Sequence, residues 1–177
     1  MSDIEIRTVR KRNGWTAPYD PEKIRVRLNN IVKQSNLKHV DVAMLVKSVT
    51  RDLVDGVSTV EIDNQLARLA GANNIVHPEY NLFGGQILST NLRRQINISF
   101  SENVLRLSKN VNRRTGKPAP ILNQRFIDYV AEHAKELDEL IDHFRDSRFT
   151  YFSICTIIKM YLAKIKVPNP NKGEEAI

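Results

Sequence analysis

The stretch VRKRNGWTAPYDPEKI, residues 9–24, decides how the chain folds. Asn13-Gly14 is the strongest short hairpin signal, since a tight turn needs residues that tolerate positive φ. Upstream, Ile4, Ile6 and Val9 are spaced for an extended segment, and Trp15 to Tyr19 supplies the returning strand, so residues 4–19 read as a small β element. Asp20-Pro21 then changes the period. Asp20 is an N-cap, and Pro21 suits the first helical position, where its missing N–H would have had no partner anyway. Ile24, Leu28, Ile31 and Val32 follow along one helix face.

Further helices follow at short intervals. A second opens at Asp41 with Val42, Leu45, Val46, Val49, Leu53 and Val54 on its stripe, and Gly56 stops it. Ser58 and Glu61 stand at capping-box spacing ahead of Ile62, Leu66 and Leu69, and Gly71-Ala72-Asn73-Asn74 closes that third helix. A fourth starts at Pro78 and carries Tyr80, Phe83, Ile87 and Leu88, with Gly84-Gly85 permitting close approach of a neighbour. After a polar, basic stretch from Asn110 to Pro120, Asn123 caps one helix with Phe126, Ile127, Val130, Ala134, Leu137, Ile141 and Phe144 on its stripe. Residues 148–165 are apolar and aromatic and predict one more helix that wants a partner surface. The tail KVPNPNKGEEAI has two prolines and no apolar pattern, which predicts disorder. The fold class is therefore α+β, mainly α: a small N-terminal sheet, four helices and a helical extension.

Composition narrows the function. The chain has 177 residues, 41% hydrophobic and 27% charged, an ordinary globular balance. No apolar run approaches the roughly 20 residues of a membrane span, and the first residues carry charge without the apolar core of a secretory signal. The single cysteine, Cys155, excludes a disulfide framework, a Cys-rich zinc site and dithiol chemistry on this chain, and favours a reducing compartment, the cytoplasm or nucleus. Its apolar surroundings, FSICTII, read as a buried small hydrophobe. The four histidines, His39, His77, His133 and His143, have no metal-ligand spacing, so no metal is expected. No phosphate-binding P-loop, dinucleotide fingerprint or nucleophile elbow is present, and nothing assembles a catalytic site.

A net charge of +7 favours an anionic partner, a nucleotide or a nucleic acid. Arg10-Lys11-Arg12 sits immediately before the hairpin turn, and Lys23 falls in the first turn of the following helix, where a cation opposes the helix dipole. A phosphate there would receive backbone N–H groups, the dipole and Lys23 together. The bland alternative is a solvated edge with a snorkelling lysine.

Several separated motifs converge on one family. Val9-Arg10-Lys11-Arg12-Asn13-Gly14, Tyr19-Asp20-Pro21-Glu22-Lys23-Ile24, Asp55 to Asp63 (DGVSTVEID), His77-Pro78-Glu79-Tyr80 and Ser89-Thr90-Asn91-Leu92 occur in order. Together they resemble the ATP-cone of the class I ribonucleotide reductase large subunit. The resemblance covers roughly residues 5–108 and continues more faintly through Gly116-Lys117-Pro118-Ala119-Pro120 and Tyr161-Leu162-Ala163-Lys164-Ile165. It implies a small sheet capping a four-helix bundle over residues 1–108, a segment 109–165 similar to the start of the reductase core, and the tail 166–177.

The same resemblance implies a sensor of ATP against dATP, bound with Mg2+, that sets the overall rate of deoxyribonucleotide synthesis for DNA replication. Carried over by position, Lys11, Arg12 and Lys23 would face phosphates. Ala17, Pro18, Tyr19, Asp20, Pro21, Glu22 and Lys23 would wrap the nucleotide, and Thr59 and Asp63 would face the base or sugar. Arg94, with Arg93 beside it, would reach phosphate from the fourth helix. Two positions depart from the family: Ala17 stands where Glu is frequent, and Gln86 where Arg is usual.

The family continues into a barrel with a radical-bearing cysteine and a redox pair, whereas this chain has one cysteine in all. The expectation is a reductase regulatory region whose barrel lies on another polypeptide, working with a radical-generating small subunit. The alternatives are a free cytoplasmic nucleotide sensor and a basic helical nucleic-acid-binding protein. Shifting a switch from 1:99 to 99:1 needs about 5.5 kcal/mol of differential binding, more than a single missing hydroxyl supplies, so effectors are expected to act through oligomerisation.

Overall fold

The computed structural model describes residues 8–96, 99–112, 114–162, 166–169 and 173–176. Ile4, Ile6, Arg113 and residues 163–165 lie outside the described residues. The hairpin forms as its turn residues dictate: β1 (Thr8–Arg10) pairs antiparallel with β2 (Thr16–Pro18). Gly14 sits at φ +85°, its N–H donates to the Lys11 carbonyl, and the Trp15 N–H donates to the Asn13 side chain. A third strand, β3 (Val57–Ser58), joins parallel to β1 and makes β1 the centre of the sheet. The sequence reading missed it, because two residues have no period. Asp55 fixes it instead, accepting from both the N–H and the hydroxyl of Thr8 at 2.8 and 3.0 Å.

Helix α1 (Pro21–Gln34) starts where expected, with the Asp20 carboxylate accepting from the Glu22 and Lys23 amides. Helix α2 (Val42–Asp52) is capped by Asp41, and α3 (Thr59–Ala72) by Ser58, whose Oγ accepts from the Glu61 N–H at 3.0 Å. Helix α4 (Glu79–Ile96) follows a short 3-10 turn at Asn73–Ile75. Leu28, Leu45, Leu66, Phe83 and Ile87 are fully buried between these helices. Each such side chain stabilises the fold by about 1.5–3 kcal/mol. Val54 is a correction. The stripe ends at Leu53, because α2 stops at Asp52 and Leu53 turns to extended geometry, which leaves Val54 63% exposed. Gly56, at φ +74°, shapes the turn into β3 rather than ending the helix.

The described residues up to Asn91 and from Asp146 onward form one compact unit, and those from Leu92 to Arg145 another. This division differs from a boundary at residue 108, because two elements pack where periodicity alone could not place them. The first is α8 (Tyr151–Thr156), which continues through a π-helical turn at Ile157–Tyr161 and returns to α3. Its Ile154 is buried in the same core as Leu66 and Phe83. The aromatic segment that wanted a partner surface thus finds part of one within the chain, while Phe152, Met160 and Tyr161 stay exposed. Gln86, where the resemblance implies an Arg, belongs to this packing: it is buried, and its Nε2 donates to the Ser147 carbonyl at 3.1 Å.

The second is α5 (Phe100–Ser108), which the sequence reading did not separate and which packs on α6 (Gln124–Glu132) and α7 (Ala134–Leu140). The single helix expected after Asn123 is broken at His133, which takes φ −107° and ψ 22°. Val104, Ile127 and Val130 form the small core here, while Phe126, Ile141 and Phe144 from the expected stripe lie exposed. The break has a consequence at Asp138 of α7. Its carboxylate accepts from the Ser101 hydroxyl at 2.7 Å and the Ser101 N–H at 2.9 Å, closing the start of α5.

Those two Ser101 bonds, the hydroxyl first, hold the Asp138 carboxyl below its usual 3.8. A depressed folded value means the contribution is complete above the unfolded value and is lost as pH falls below it. Asp138→Asn is therefore expected to be less stable than the parent at neutral pH, with the gap closing below about pH 3.8. Urea melts of both proteins across that range check it.

The tail expected to be disordered carries an antiparallel ladder of β4 (Lys166–Asn169) with β5 (Gly173–Ala176). Backbone pairing needs no hydrophobic period, which is why composition did not reveal it.

Candidate functional site

The site grows from the sheet. Because β3 runs parallel to β1 and leads directly into α3, the chain leaving β1 passes over the first turns of α3. That brings Arg12 to Asp63, with Arg12 Nη2 donating to Asp63 Oδ2 at 3.0 Å. The same nitrogen donates to Asn91 Oδ1 of α4 at 2.5 Å. From α1, Arg27 pairs with the other oxygen, Asp63 Oδ1. Asn91 in turn donates to Asn64 Oδ1 at 2.8 Å and to the Val60 carbonyl at 3.4 Å. Asp63 and Asn91 are almost wholly buried, at 4% and 1% exposure. Arg12 and Arg27 remain about a quarter exposed, at 27% and 23% of their side chains.

Two guanidinium groups thus share one carboxylate, and Lys11 adds a third cation next to Arg12. Arg27 is also short of acceptors: its Nε and Nη2 are buried without a hydrogen-bond partner among the described residues. An unsatisfied buried donor costs about 1–3 kcal/mol, more when charged, so an anionic oxygen arriving here would be strongly favoured.

The expected residues divide into those the fold gathers and those it does not. Arg12 and Asp63 meet directly, and Thr59 lies one turn before Asp63 on α3. Lys11 is exposed beside them on the turn after β1. Lys23 stands one turn ahead of Arg27 on α1, 84% exposed and 3.5 Å from Asp20. Asp20 corrects the expectation of open amides at the start of α1, since its own carboxylate already receives two of them. Glu22 pairs with Arg25 at 2.5 Å. Ala17 is half-buried on β2, and Pro18 and Pro21 are exposed. Tyr19 turns the other way, its hydroxyl 2.6 Å from Thr50 Oγ1 of α2. Arg94 lies exposed in the last turn of α4, three residues past Asn91. Two members were missed by the sequence reading. Arg27 was legible as the cation four residues after Lys23 on the same face; Asn91 lay inside a quoted motif, and only the fold shows what it touches.

The family described as ATP cone domain matches residues 7–95, half of the chain and a span that contains every residue of this site. The chain belongs to the ATP-cone family. The ATP-cone chain is also similar to ribonucleoside-diphosphate reductase large chains and subunits. It is 32% identical over 157 residues to the large chain of Schizosaccharomyces pombe, covering 89% of this chain and 19% of that protein. For the Variola virus large subunit the figures are 32% over 155 residues, 88% and 20%; for Caenorhabditis elegans, 33% over 155 residues, 88% and 20%. The chain spans about a fifth of the length of these relatives. Each match reaches well past residue 95, so the likeness includes part of the 92–145 unit as well as the ATP-cone. No helix among the described residues is long and apolar enough to cross a membrane.

Proposed function

We propose that this ATP-cone is the allosteric regulatory region of a ribonucleoside-diphosphate reductase, taking ATP or dATP and acting on a barrel-bearing large-subunit polypeptide and its small subunit in the cytoplasm. The observation that carries the reading is the charge imbalance at Asp63, where Arg12 and Arg27 share one carboxylate and two buried donors of Arg27 have no partner among the described residues. A polyphosphate supplies the acceptors and the negative charge that the cluster lacks. In this reading the exposed cations Lys11 and Lys23 add positive charge for the phosphates, and Thr59 and Asp63 serve the sugar or base. Mg2+ would arrive on the phosphates themselves, since Asp20, Glu22 and Asp63 are already engaged within the chain.

A nucleotide alters activity only by binding one arrangement of the assembly better than another. The ATP-cone's part is to convert occupancy into that preference, through association of several copies.

Calorimetric titration with ATP and dATP, with GTP as the control, tests the reading. Saturable adenine-selective binding is expected, and Lys23→Ala should weaken it about tenfold more than Lys33→Ala, which alters an exposed lysine at the far end of α1. Equal losses in the two variants would mean diffuse attraction to a basic surface, and no binding at millimolar nucleotide would overturn the assignment.

A further inference from the structure

Away from the Arg12–Asp63 cluster, the loop between α1 and α2 meets the connection from α3 to α4. There His39, His77 and Glu79 place one potential ligand atom each within 4.8 Å of one another. The two imidazoles stack with centroids 4.0 Å apart and planes inclined by 27°. His39 Nδ1 lies 3.0 Å from Glu79 Oε1.

The two oxygens of Glu79 have separate tasks. Oε2 accepts from the backbone N–H groups of Lys38 and His39, both at 2.7 Å, and so ties the loop to the start of α4. Oε1 is left facing the His39 ring. His77 Nδ1 accepts only a long bond, 3.3 Å, from the Glu79 N–H.

We infer that His39, His77 and Glu79 form a binding site for a divalent transition metal of the zinc class, which clamps the α1–α2 loop to the start of α4. Two imidazole nitrogens and one carboxylate oxygen are a donor set suited to such an ion rather than to calcium or magnesium, which demand oxygen. Ligand atoms about 2.1 Å from a tetrahedral zinc stand roughly 3.4 Å from one another. The 3.0 Å separation of His39 Nδ1 and Glu79 Oε1 is already near that figure, and His77 brings a ligand atom within 4.8 Å of both. Binding needs a bare Nδ1 on His39, so any Nδ1 proton moves to Nε2 of the same ring and the metal takes its place between Nδ1 and Glu79 Oε1. The two amides on Oε2 keep the carboxylate oriented, as outer hydrogen bonds do for metal-ligating carboxylates. His39 is 57% exposed on its side chain, which leaves a path for entry and a position for water as the fourth ligand. The site does not depend on the nucleotide reading.

Titrating the whole chain with ZnCl2 in nucleotide-free buffer tests it, with MgCl2 and CaCl2 as hard-cation controls. One zinc per chain is expected, with binding weakened tenfold or more by His39→Ala and by His77→Ala and unchanged by His143→Ala or Cys155→Ser. Zinc at about a hundred times its dissociation constant should raise the melting temperature by about 5–10 °C, and this rise should vanish in both ligand variants. His39→Ala alters an exposed side chain, so the folded variant remains available for measurement. Zinc binding that survives His39→Ala, that follows Cys155 instead, or that is matched by magnesium overturns the site.

Discussion

Asp63→Ala is expected to destabilise the ATP-cone by about 3–5 kcal/mol, the cost of leaving a buried charge pair with one member missing. The carboxylate is the common partner of Arg12 and Arg27 and is itself almost wholly buried. Its removal strands two cations that are only about a quarter exposed, and two donors of Arg27 already lack acceptors among the described residues. Arg27→Ala should cost clearly less, because Asp63 keeps Arg12 and the orphaned donors disappear with the side chain. The double variant Asp63→Ala/Arg27→Ala should recover part of the Asp63→Ala loss, since one of the stranded charges is gone. Urea denaturation of the three variants and the parent gives the cycle. Losses that simply add would show that the residues do not act as one cluster.

Gly85→Ala is the second large effect. A Cβ at Gly85 would run into the Phe149 carbonyl oxygen and, at 2.6 Å, the Thr150 carbonyl carbon. Both obstacles are backbone and have no rotamer to change, so either α4 or the start of α8 must move. Overpacking of a well-packed site costs about 1–3 kcal/mol, and the upper end is expected where backbone meets backbone. The predicted signature is local. Displacing Phe149 and Thr150 withdraws Ile154 from the core and Ser147 from Gln86, so limited proteolysis should cut within residues 146–162 before the rest of the ATP-cone opens. Thr90→Ala serves as the control on the same helix, since its hydroxyl bonds to the Gln86 carbonyl one turn back. Equal protease resistance in Gly85→Ala and the parent would show that the segment tolerates the added methyl.

Much of the ATP-cone is local in origin and therefore readable. Asp20, Asp41, Ser58 and Asn123 each cap the helix they precede, because a capping side chain acts on amides two or three residues away. Asn13-Gly14 makes its turn for a similar reason, and the apolar stripes of α1 to α4 mark which faces are buried. Lys11, Arg12, Lys23, Thr59 and Asp63 were identifiable as candidates by their motifs, and of these the fold brings Arg12 and Asp63 into direct contact.

What the chain could not reveal one element at a time is who answers whom. The parallel pairing of Val9 with Val57 joins segments 48 positions apart and sets Arg12 over Asp63. The third partner, Arg27, reaches Asp63 from α1, which packs on α2 while α2 packs on α3. Likewise His39 and His77 have no ligand spacing, and their rings stack only once two loops converge. The break at His133 and the return of α8 to α3 belong to the same class, since neither has a Gly, a Pro or a periodic signal to announce it. Helix, turn and cap were determined by the sequence itself, through contacts that span a few residues. Charge pairing at Asp63, the His39–His77 stack and the division into units were decided by tertiary packing, because the groups concerned are brought together by burial of apolar faces in which they take no part.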